Sequence, residues 1–393
     1  VLDGFTITGG NSDGGGNDGR GGGMFISNNA APELTNILFT RNYSGNDGGA
    51  IMVVTGGTTP PHFTNVTFNE NRAVAQAGAV YLWNRDAVFQ GCTFSANEST
   101  GLGGAIYCDN NANIVTLDNC LFLANVGGSG GAIMNLANCD MVVTNSRFLG
   151  NIANSAGGAI RNRAGSNLTL VNCEFSGNRA DVGGLMEGGV AWNGSLGTCV
   201  LTMINCTMTG NVAGSEGGGL YGPADASNVV ILQNPVSWGN VAPVDPEFGP
   251  IALDAASAHN LIAGEALGGP VTANSDPLFL DPDGADNIVG TPDDDLRLQA
   301  LSPAVAAGDD ALIQSTGVTT DLAGKPRIVP VAVDLGAYET TALGFVAGDL
   351  TVPVPGGGES VIANWVPDMS TFNDSAGFHF TFAQTGSTGT LAF

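Results

Sequence analysis

The stretch FLGNIANSAGGAI, residues 148–160, contains two short motifs that recur along the chain and indicate its fold. The first is Phe-x-x-Asn, and the second is a Gly-Gly-Ala-Ile step that follows a few residues later. The Asn residues of the first motif, at positions 42, 71, 97, 125, 151, 178 and 211, are separated by 29, 26, 28, 26, 27 and 33 residues. A repeat of this length indicates a solenoid, in which each unit buries its apolar face against the next.

The glycine pair marks one corner of each coil, because a tight turn there requires positive φ or a close backbone approach. Full or variant copies of the step stand at residues 21–24, 48–51, 77–80, 103–106, 130–133, 157–160, 183–185 and 217–220. We expect a strand to begin at the apolar residue that follows each glycine corner, as at Ile106.

A second corner interrupts the apolar alternation in the sequence LTLVNCEF. Leu168 and Leu170 alternate along one strand, Asn172 breaks the alternation, and Cys173 and Phe175 resume it on another strand. Asn suits a corner because it tolerates the left-handed conformation and can bond to the nearby backbone. Stacked coils therefore predict a ladder of Asn side chains, with Gly91 as the exception in the column, formed by Asn36, Asn65, Asn119, Asn145, Asn172 and Asn205.

These patterns predict an all-β fold, a right-handed parallel β-helix with three strands per coil. Right-handedness is expected from the handedness of parallel crossover connections. A β-propeller requires roughly 40–50 residues per blade, which the spacing disfavours. The Leu-x-x-Leu-x-Leu pattern of leucine-rich repeats is missing from the sequence.

Charge and composition exclude several classes of partner. The net charge is −25 and the hydrophobic content is 43%. Nucleic acid and anionic membrane surfaces require a basic face, so we expect neither as a partner. The sequence contains no run of about 18 apolar residues, and we expect no transmembrane segment. The opening residues VLDGF read as a strand rather than a signal peptide, and we interpret the protein as secreted and residue 1 as other than a translation start.

The alternation of Phe-x-x-Asn with Gly-Gly-Ala-Ile resembles the repeats of chlamydial polymorphic outer-membrane proteins. The end of the solenoid is similar to secreted bacterial β-helix proteins with varied C-terminal anchors. The stretches that carry this second resemblance are residues 236–240, 276–279, 302–308, 321–327 and 334–339. The resemblance covers about residues 1–339 and implies a secreted or surface repeat protein, without implying an activity.

The regular spacing divides the chain into three parts. Residues 1–240 are predicted to form regular coils, and residues 241–339, which contain more Pro and Asp, irregular final coils and a cap. Residues 344–393 contain alternating runs typical of a small antiparallel β module for anchoring or assembly. About 50 residues are marginal for independent folding, so we expect this module to pack on the β-helix end or on another subunit.

An acidic stretch late in the chain is the strongest candidate for metal binding. Closely spaced carboxylates around a Gly turn provide the oxygen ligands that calcium prefers. The predicted calcium ligands are Asp281, Asp283, Asp286, Asn287, Asp293 and Asp295. The alternative is a solvated acidic turn that binds no metal.

Four of the seven cysteines occupy the same inward position after the Asn corner, namely Cys92, Cys120, Cys173 and Cys206. We interpret them as a packing column, since buried Cys behaves as a small hydrophobe. Cys92 and Cys120 lie in adjacent coils, where a disulfide is geometrically possible.

The function predicted from these features is that of a non-enzymatic extracellular or cell-surface scaffold, adhesin-like and self-associating into filaments. The chain begins inside a coil, and we expect self-association through the β-helix ends and the C-terminal module. One alternative is a carbohydrate-active enzyme, a polysaccharide lyase or glycosidase, although the motifs of such β-helix enzymes are missing. Another is a glycan-binding module, for which Tyr81, Trp83 and Tyr107 offer an outward aromatic strip.

Overall fold

The computed structural model describes most of the chain. The described residues are 1–14, 16–54, 56, 59–109, 114–180, 188–194, 197–222, 228–251, 253–264, 275–327 and 332–340, with the backbone of four strands after residue 349. The chain divides into two compact units, Val1–Thr340 and Thr341–Phe393. The copy of the glycine step at residues 183–185 lies outside the described residues.

Sheets A and B are two of the parallel sheets of the first unit. Sheet A consists of Leu2–Asp3, Glu33–Thr35, His62–Thr64, Ala87–Gln90, Ile114–Asp118, Asp140–Thr144, Asn167–Val171, Cys199–Ile204 and Asn228–Gln233. Sheet B consists of Thr6–Thr8, Leu38–Thr40, Thr67–Asn69, Thr93–Ser95, Leu121–Leu123, Arg147–Leu149, Glu174–Ser176, Thr207–Thr209, Val236–Trp238 and Leu261–Ile262.

Two further parallel sheets complete each coil. Sheet C consists of Asn11–Ser12, Tyr43–Ser44, Arg72–Ala73, Glu98–Ser99, Val126–Gly127, Ile152–Ala153, Arg179–Ala180 and Val212–Ala213. Sheet D consists of Met24–Ile26, Ile51–Val53, Val80–Trp83, Ile106–Asp109, Ile133–Leu136, Ile160–Arg163, Ala191–Asn193 and Leu220–Tyr221. A 3-10 turn at Gly16–Gly19 precedes the first strand of sheet D.

The right-handed parallel β-helix is confirmed, but its coils have four strands instead of the predicted three. The additional strand belongs to sheet C and is only two residues long, as at Arg72–Ala73. Two residues are too few to display an alternation of apolar and polar side chains, so the sequence pattern did not reveal this strand.

The core is built from columns of identical side chains in register. The Phe residues of the Phe-x-x-Asn motif stack with ring centroids 4.6–5.3 Å apart along the column Phe39, Phe68, Phe94, Phe122, Phe148 and Phe175. Met208 continues this column in the next coil. Each stacked pair adds aromatic contact to the burial of apolar surface, so the column favours one register between coils.

The predicted Asn column lies at the corner between sheets A and B, and its members have φ of 48–55°. Its ladder of side-chain bonds forms only in part: Asn65 donates to Asn36 (3.4 Å) and Asn172 to Asn145 (2.7 Å). Asn145 itself donates to Asp118, and Asn205 donates to backbone carbonyls of residues 334 and 336. The positive φ turns these side chains outward, where other partners compete for them.

A continuous amide ladder is instead formed by the Asn of Phe-x-x-Asn. Each Nδ2 donates to the Oδ1 of the next coil at 2.8–3.0 Å along the column Asn42, Asn71, Asn97, Asn125, Asn151, Asn178, Asn211 and Asn240. Glu247 ends the ladder by accepting from the Nδ2 of Asn240 at 2.6 Å. Burial raises the pKa of Glu247 despite these hydrogen bonds.

Beyond Trp238, only part of the chain continues the coils. Residues 241–251 and 253–258 add isolated bridges to the last coil, and Phe248 packs on the end of the core. Residues 275–327 and 332–340, the fold-back segment, lie against the outer face of sheet B rather than adding coils or a cap. This segment contains an antiparallel pair, Phe279–Asp281 with Asp295–Leu298, and the helix Asp310–Gln314.

The second unit contains antiparallel strand pairs. Leu350–Val354 pairs with Gly358–Ile362, and His379–Gln384 pairs with Ser387–Ala392. Most of the remaining residues of the predicted C-terminal module, including 363–378, lie outside the described residues.

Glycine at the corner between sheets B and C admits the tip of the fold-back hairpin. A Cβ on Gly177 would lie 2.5 Å from the carbonyl oxygen of Val289 and 2.6 Å from the Cα of Gly290. We expect Gly177→Ala to lower the free energy of unfolding by about 1–3 kcal/mol through this overlap. Urea unfolding measures the change, and hydrogen exchange over residues 279–298 locates it.

The matched control is Ala96→Gly, because Ala96 is an exposed residue at the same corner with φ of 51°. This substitution changes the same side chain at the same backbone conformation, and should shift stability by less than about 1 kcal/mol. Equal changes in the two variants would show that the hairpin contact contributes nothing.

Candidate functional site

The outer face of sheet B in the later coils carries a buried polar network that binds the fold-back segment. Arg147 and Glu174 occupy the same outward column in adjacent coils, and two hydrogen bonds of 3.0 Å join them. The hydroxyl of Tyr338 donates to Glu174, whose side chain is fully buried. Burial raises the pKa of Tyr338, which keeps its hydroxyl protonated and able to donate. The Arg–Glu pair thus orients the end of the fold-back segment.

A second polar cluster centres on Arg327, whose side chain is completely buried. Its guanidinium donates to Glu339 at 2.6 Å, to the Oδ1 of Asn172 at 2.5 Å and to the carbonyl of Gly336 at 2.7 Å. Asp321 accepts from the backbone amide of Glu339 at 2.7 Å. The stretches 321–327 and 334–339 therefore form a polar cluster, termed the lock, that attaches the fold-back segment to the corner between sheets A and B.

Glu339 makes this lock sensitive to pH. Burial raises the pKa of Glu339 to about 8, and the charge of Arg327 only partly offsets that effect. The folded chain then binds this proton more tightly than the unfolded chain, where the pKa has its ordinary value of 4.5. The stabilising contribution is complete below pH 4.5 and is lost as the pH rises towards about 8.

We expect the melting temperature to fall between pH 4.5 and about 8, and to fall less steeply in Glu339→Gln. Scanning calorimetry at several pH values measures both slopes. Glu98→Gln is the control, since this half-buried carboxylate lies on sheet C at the protein surface. The prediction is wrong if Glu339→Gln and Glu98→Gln have the same pH slope.

A shallow groove of about 140 Å³ lies beside the lock at the corner between sheets A and B. It is lined by Gly91, Cys92, Thr93, Asn119, Cys120, Leu121, Asn145, Arg147 and Leu322. Pockets for drug-sized ligands are typically about 300–1,000 Å³, so this groove suits only a very small molecule.

The predicted calcium ligands lie in the hairpin of the fold-back segment, where their carboxylates bond to the local chain. Asp286 accepts from the amide of Ile288 at 2.8 Å, and Asp293 accepts from the hydroxyl of Thr291 at 2.6 Å. Asp295 forms an ion pair with Arg297. Asp281, Asp283 and Asn287 belong to the same hairpin. Among the described residues, no three His, Cys, Asp or Glu side chains come together as metal ligands would. Calcium binding stays a prediction, which calorimetric titration with calcium checks.

The prediction of an exposed aromatic strip on sheet D is wrong about the exposure of its two tyrosines. Tyr81 and Tyr107 point away from the main core, but they are only 6% and 2% exposed. They pack in a second apolar cluster with Met52 and Met134, and the hydroxyl of Tyr81 donates to Asp109 at 3.2 Å. Trp83 is half-buried, and the guanidinium of Arg20 lies 5.7 Å from its ring centroid. The prediction of glycan contact depended on exposed tyrosine rings, and these two rings are buried.

The structure contains a disulfide that the sequence patterns did not indicate. Cys108 and Cys139 are joined with a Cα–Cα distance of 6.5 Å. Cys108 lies in the strand Ile106–Asp109 of sheet D, and Cys139 precedes a strand of sheet A in the next coil. Cys92 and Cys120 remain thiols in this structure. The two bonded cysteines hold different positions in their coils. The sequence analysis compared cysteines at the same position in successive coils, so it did not find this pair.

Comparisons with known proteins agree with this architecture. Residues 49–236 match the family described as the right-handed β-helix region, and residues 36–53 match the Chlamydia polymorphic membrane protein repeat. A comparison with curated proteins found no match to the chain. In the part of the chain that the structure describes, no helix has the length and hydropathy needed to span a bilayer. The chain is therefore a right-handed parallel β-helix protein whose repeats are similar to those of the chlamydial polymorphic membrane proteins.

Proposed function

We propose that the protein is a non-enzymatic scaffold of the cell surface or extracellular space, adhesin-like in its role. The observation that carries this proposal is the occupation of the interior by two structural columns, the stacked Phe rings and the buried Asn ladder. These columns leave the outer faces of the coils as the surfaces available for recognition. A long, regular side surface suits adhesion, because binding sites can be distributed along it.

Two further observations support a location outside the cytosol. The similarity to the Chlamydia polymorphic membrane protein repeat suggests a surface protein. The Cys108–Cys139 disulfide is typical of proteins that fold in oxidising compartments. Fractionation of the native organism, with detection by an antibody, tests this location directly.

Adhesion is tested by presenting the purified full chain to cells and to a glycan array. The proposal expects saturable binding that is lost when the coils are unfolded. A pair of double variants then identifies the face involved: Thr67→Arg with Thr93→Arg on sheet B, and Thr116→Arg with Thr169→Arg on sheet A. All four threonines point outward and are half-buried, so the variants are matched in chemistry. Absence of binding to any cell or glycan would overturn the adhesin role.

The enzymatic alternative predicts turnover of a polysaccharide. Catalysis by a lyase or glycosidase requires titratable groups gathered in a cleft that accommodates sugar rings. The groove beside Leu322 is too small for that purpose, and the ring of His259 bonds to the carbonyl of Ala307. Incubation with plant, algal and microbial polysaccharides, followed by assays for reducing ends and unsaturated products, decides this question.

Self-association through the β-helix ends or the C-terminal module belongs to the same proposal. Its support is the repeat itself, because every coil offers the next the same parallel strand edges. Sedimentation over a range of concentrations, with and without calcium, and electron microscopy of the native material distinguish filaments from single rods. A protein that stays monomeric under all these conditions would remove filament formation from the proposal.

A further inference from the structure

The groove at the corner between sheets A and B is lined by two thiols from adjacent coils. Cys92 and Cys120 precede Thr93 and Leu121, which are directly paired in sheet B, so the cysteines are also neighbours. Adjacent strands are roughly 4.8 Å apart, within the Cα–Cα range of roughly 4.4–6.8 Å that a disulfide needs.

A second thiol pair in the same column provides an internal comparison. Cys173 and Cys206 are also neighbours in adjacent coils, and Ser146 separates them from the first pair. The fold-back segment covers the corner above them, where Asn172 donates to the carbonyl of Thr320 at 3.0 Å. All four thiols are at most 3% exposed, but only Cys92 and Cys120 line the groove.

We propose that Cys92 and Cys120 form a peroxide-reactive dithiol, a redox modification site reached through the groove. Hydrogen peroxide is small enough for a groove of about 140 Å³, whereas a peptide disulfide such as oxidised glutathione is not. Asn119, Asn145 and Thr93 offer polar groups along the groove for a polar oxidant. The neighbouring Cys120 thiol lowers the pKa of Cys92 in spite of burial, which favours Cys92 as the attacking thiolate.

The reaction balances with one peroxide for two thiols. The Cys92 sulfur attacks one peroxide oxygen, the O–O bond breaks, and a sulfenic acid forms with release of the first water. The Cys120 sulfur then attacks the sulfenic sulfur, the S–S bond forms, the S–O bond breaks and the second water leaves. The thiols lose two electrons and two protons, and the peroxide is reduced to two waters.

The test uses the full chain treated with an equimolar amount of hydrogen peroxide, followed by alkylation after unfolding. Proteolysis at Glu98 separates Cys92 from Cys120, so mass spectrometry detects the peptides that the new disulfide links. We expect the Cys92–Cys120 link to form at least about tenfold faster than any oxidation of Cys173 or Cys206. Equal rates for the two pairs would overturn the proposal, because oxidation would then not depend on the groove.

Two variants make the result independent of folding effects. In Cys120→Ser, Cys92 has no resolving thiol, and we expect its sulfenic acid to be trapped by dimedone when the oxidised protein is unfolded. In Cys206→Ser, the Cys92–Cys120 reaction should keep its rate, since the second pair takes no part in it. Failure to trap a sulfenic acid in a folded Cys120→Ser protein, as judged by circular dichroism, would also contradict the proposal.

Discussion

Replacing Asn125 by alanine is expected to lower the free energy of unfolding by about 3–5 kcal/mol, because it breaks the buried amide ladder in its middle. The Asn125 side chain donates to the carbonyl of Phe94 and to Asn151, both at 2.9 Å. Its oxygen accepts from the backbone amide and the side chain of Asn97, both at 3.0 Å. Alanine leaves these partners buried without water, and each unsatisfied group costs about 1–3 kcal/mol.

Denaturant unfolding followed by circular dichroism measures this loss. The matched control is Asn119→Gly, because Asn119 belongs to the other Asn column, is exposed and has φ of 52°. Glycine adopts this conformation readily, so we expect a change within about 0.5 kcal/mol. If both substitutions destabilise the protein equally, the buried ladder has no special role in stability.

Replacing Arg327 by methionine is expected to release the fold-back segment from the outer face of sheet B. The substitution leaves Glu339 buried without its cation and also removes the hydrogen bonds to Asn172 and Gly336. Removal of one partner from a buried ion pair costs about 3–5 kcal/mol. Because burial raises the pKa of Glu339 to about 8, the full loss should appear above that pH, where the side chain is charged, and should be smaller below it, where the side chain is protonated.

Hydrogen exchange locates this change along the chain. Amides of residues 321–327 and 334–340 should exchange faster, while those of the first four coils keep the protection of the parent protein. Arg297→Met is the control, because the Arg297 side chain is 45% exposed and its ion pair with Asp295 is solvated. We expect an effect of at most about 0.5 kcal/mol there. Faster exchange in the first coils would mean that Arg327 supports the whole β-helix, not one segment.

The candidate sites could be predicted from the sequence only where they follow the repeat. The cysteine column containing Cys92 and Cys120 was visible because both residues hold the same position in their coils. The acidic hairpin could be recognised from its closely spaced Asp residues. The hydrogen-bond partners of these carboxylates, such as Thr291, could not be predicted from the composition. The aromatic residues of sheet D were correctly placed outward, yet their burial depends on Met52 and Met134 from other coils.

The repeat pattern was enough to predict the solenoid, the length of its coils and two of its corners. It could do so because each coil pairs with the next in a fixed register, and such contacts repeat the period of the sequence. Phe148, for example, meets Phe122 and Phe175, its equivalents in the two neighbouring coils. A periodic sequence therefore contains most of the information about a periodic core.

The folded structure was needed to show which Asn column forms the ladder, which cysteines are bonded and where the fold-back segment lies. The position of the ladder depends on burial. The Asn side chains at the corner between sheets A and B point outward and meet competing partners, whereas those of Phe-x-x-Asn point inward and do not. The position of the fold-back segment depends on contacts such as Tyr338 with Glu174 and Arg327 with Asn172, which are 164 and 155 residues apart. Each of these contacts occurs once and does not follow the coil period, so the sequence repeat could not predict them.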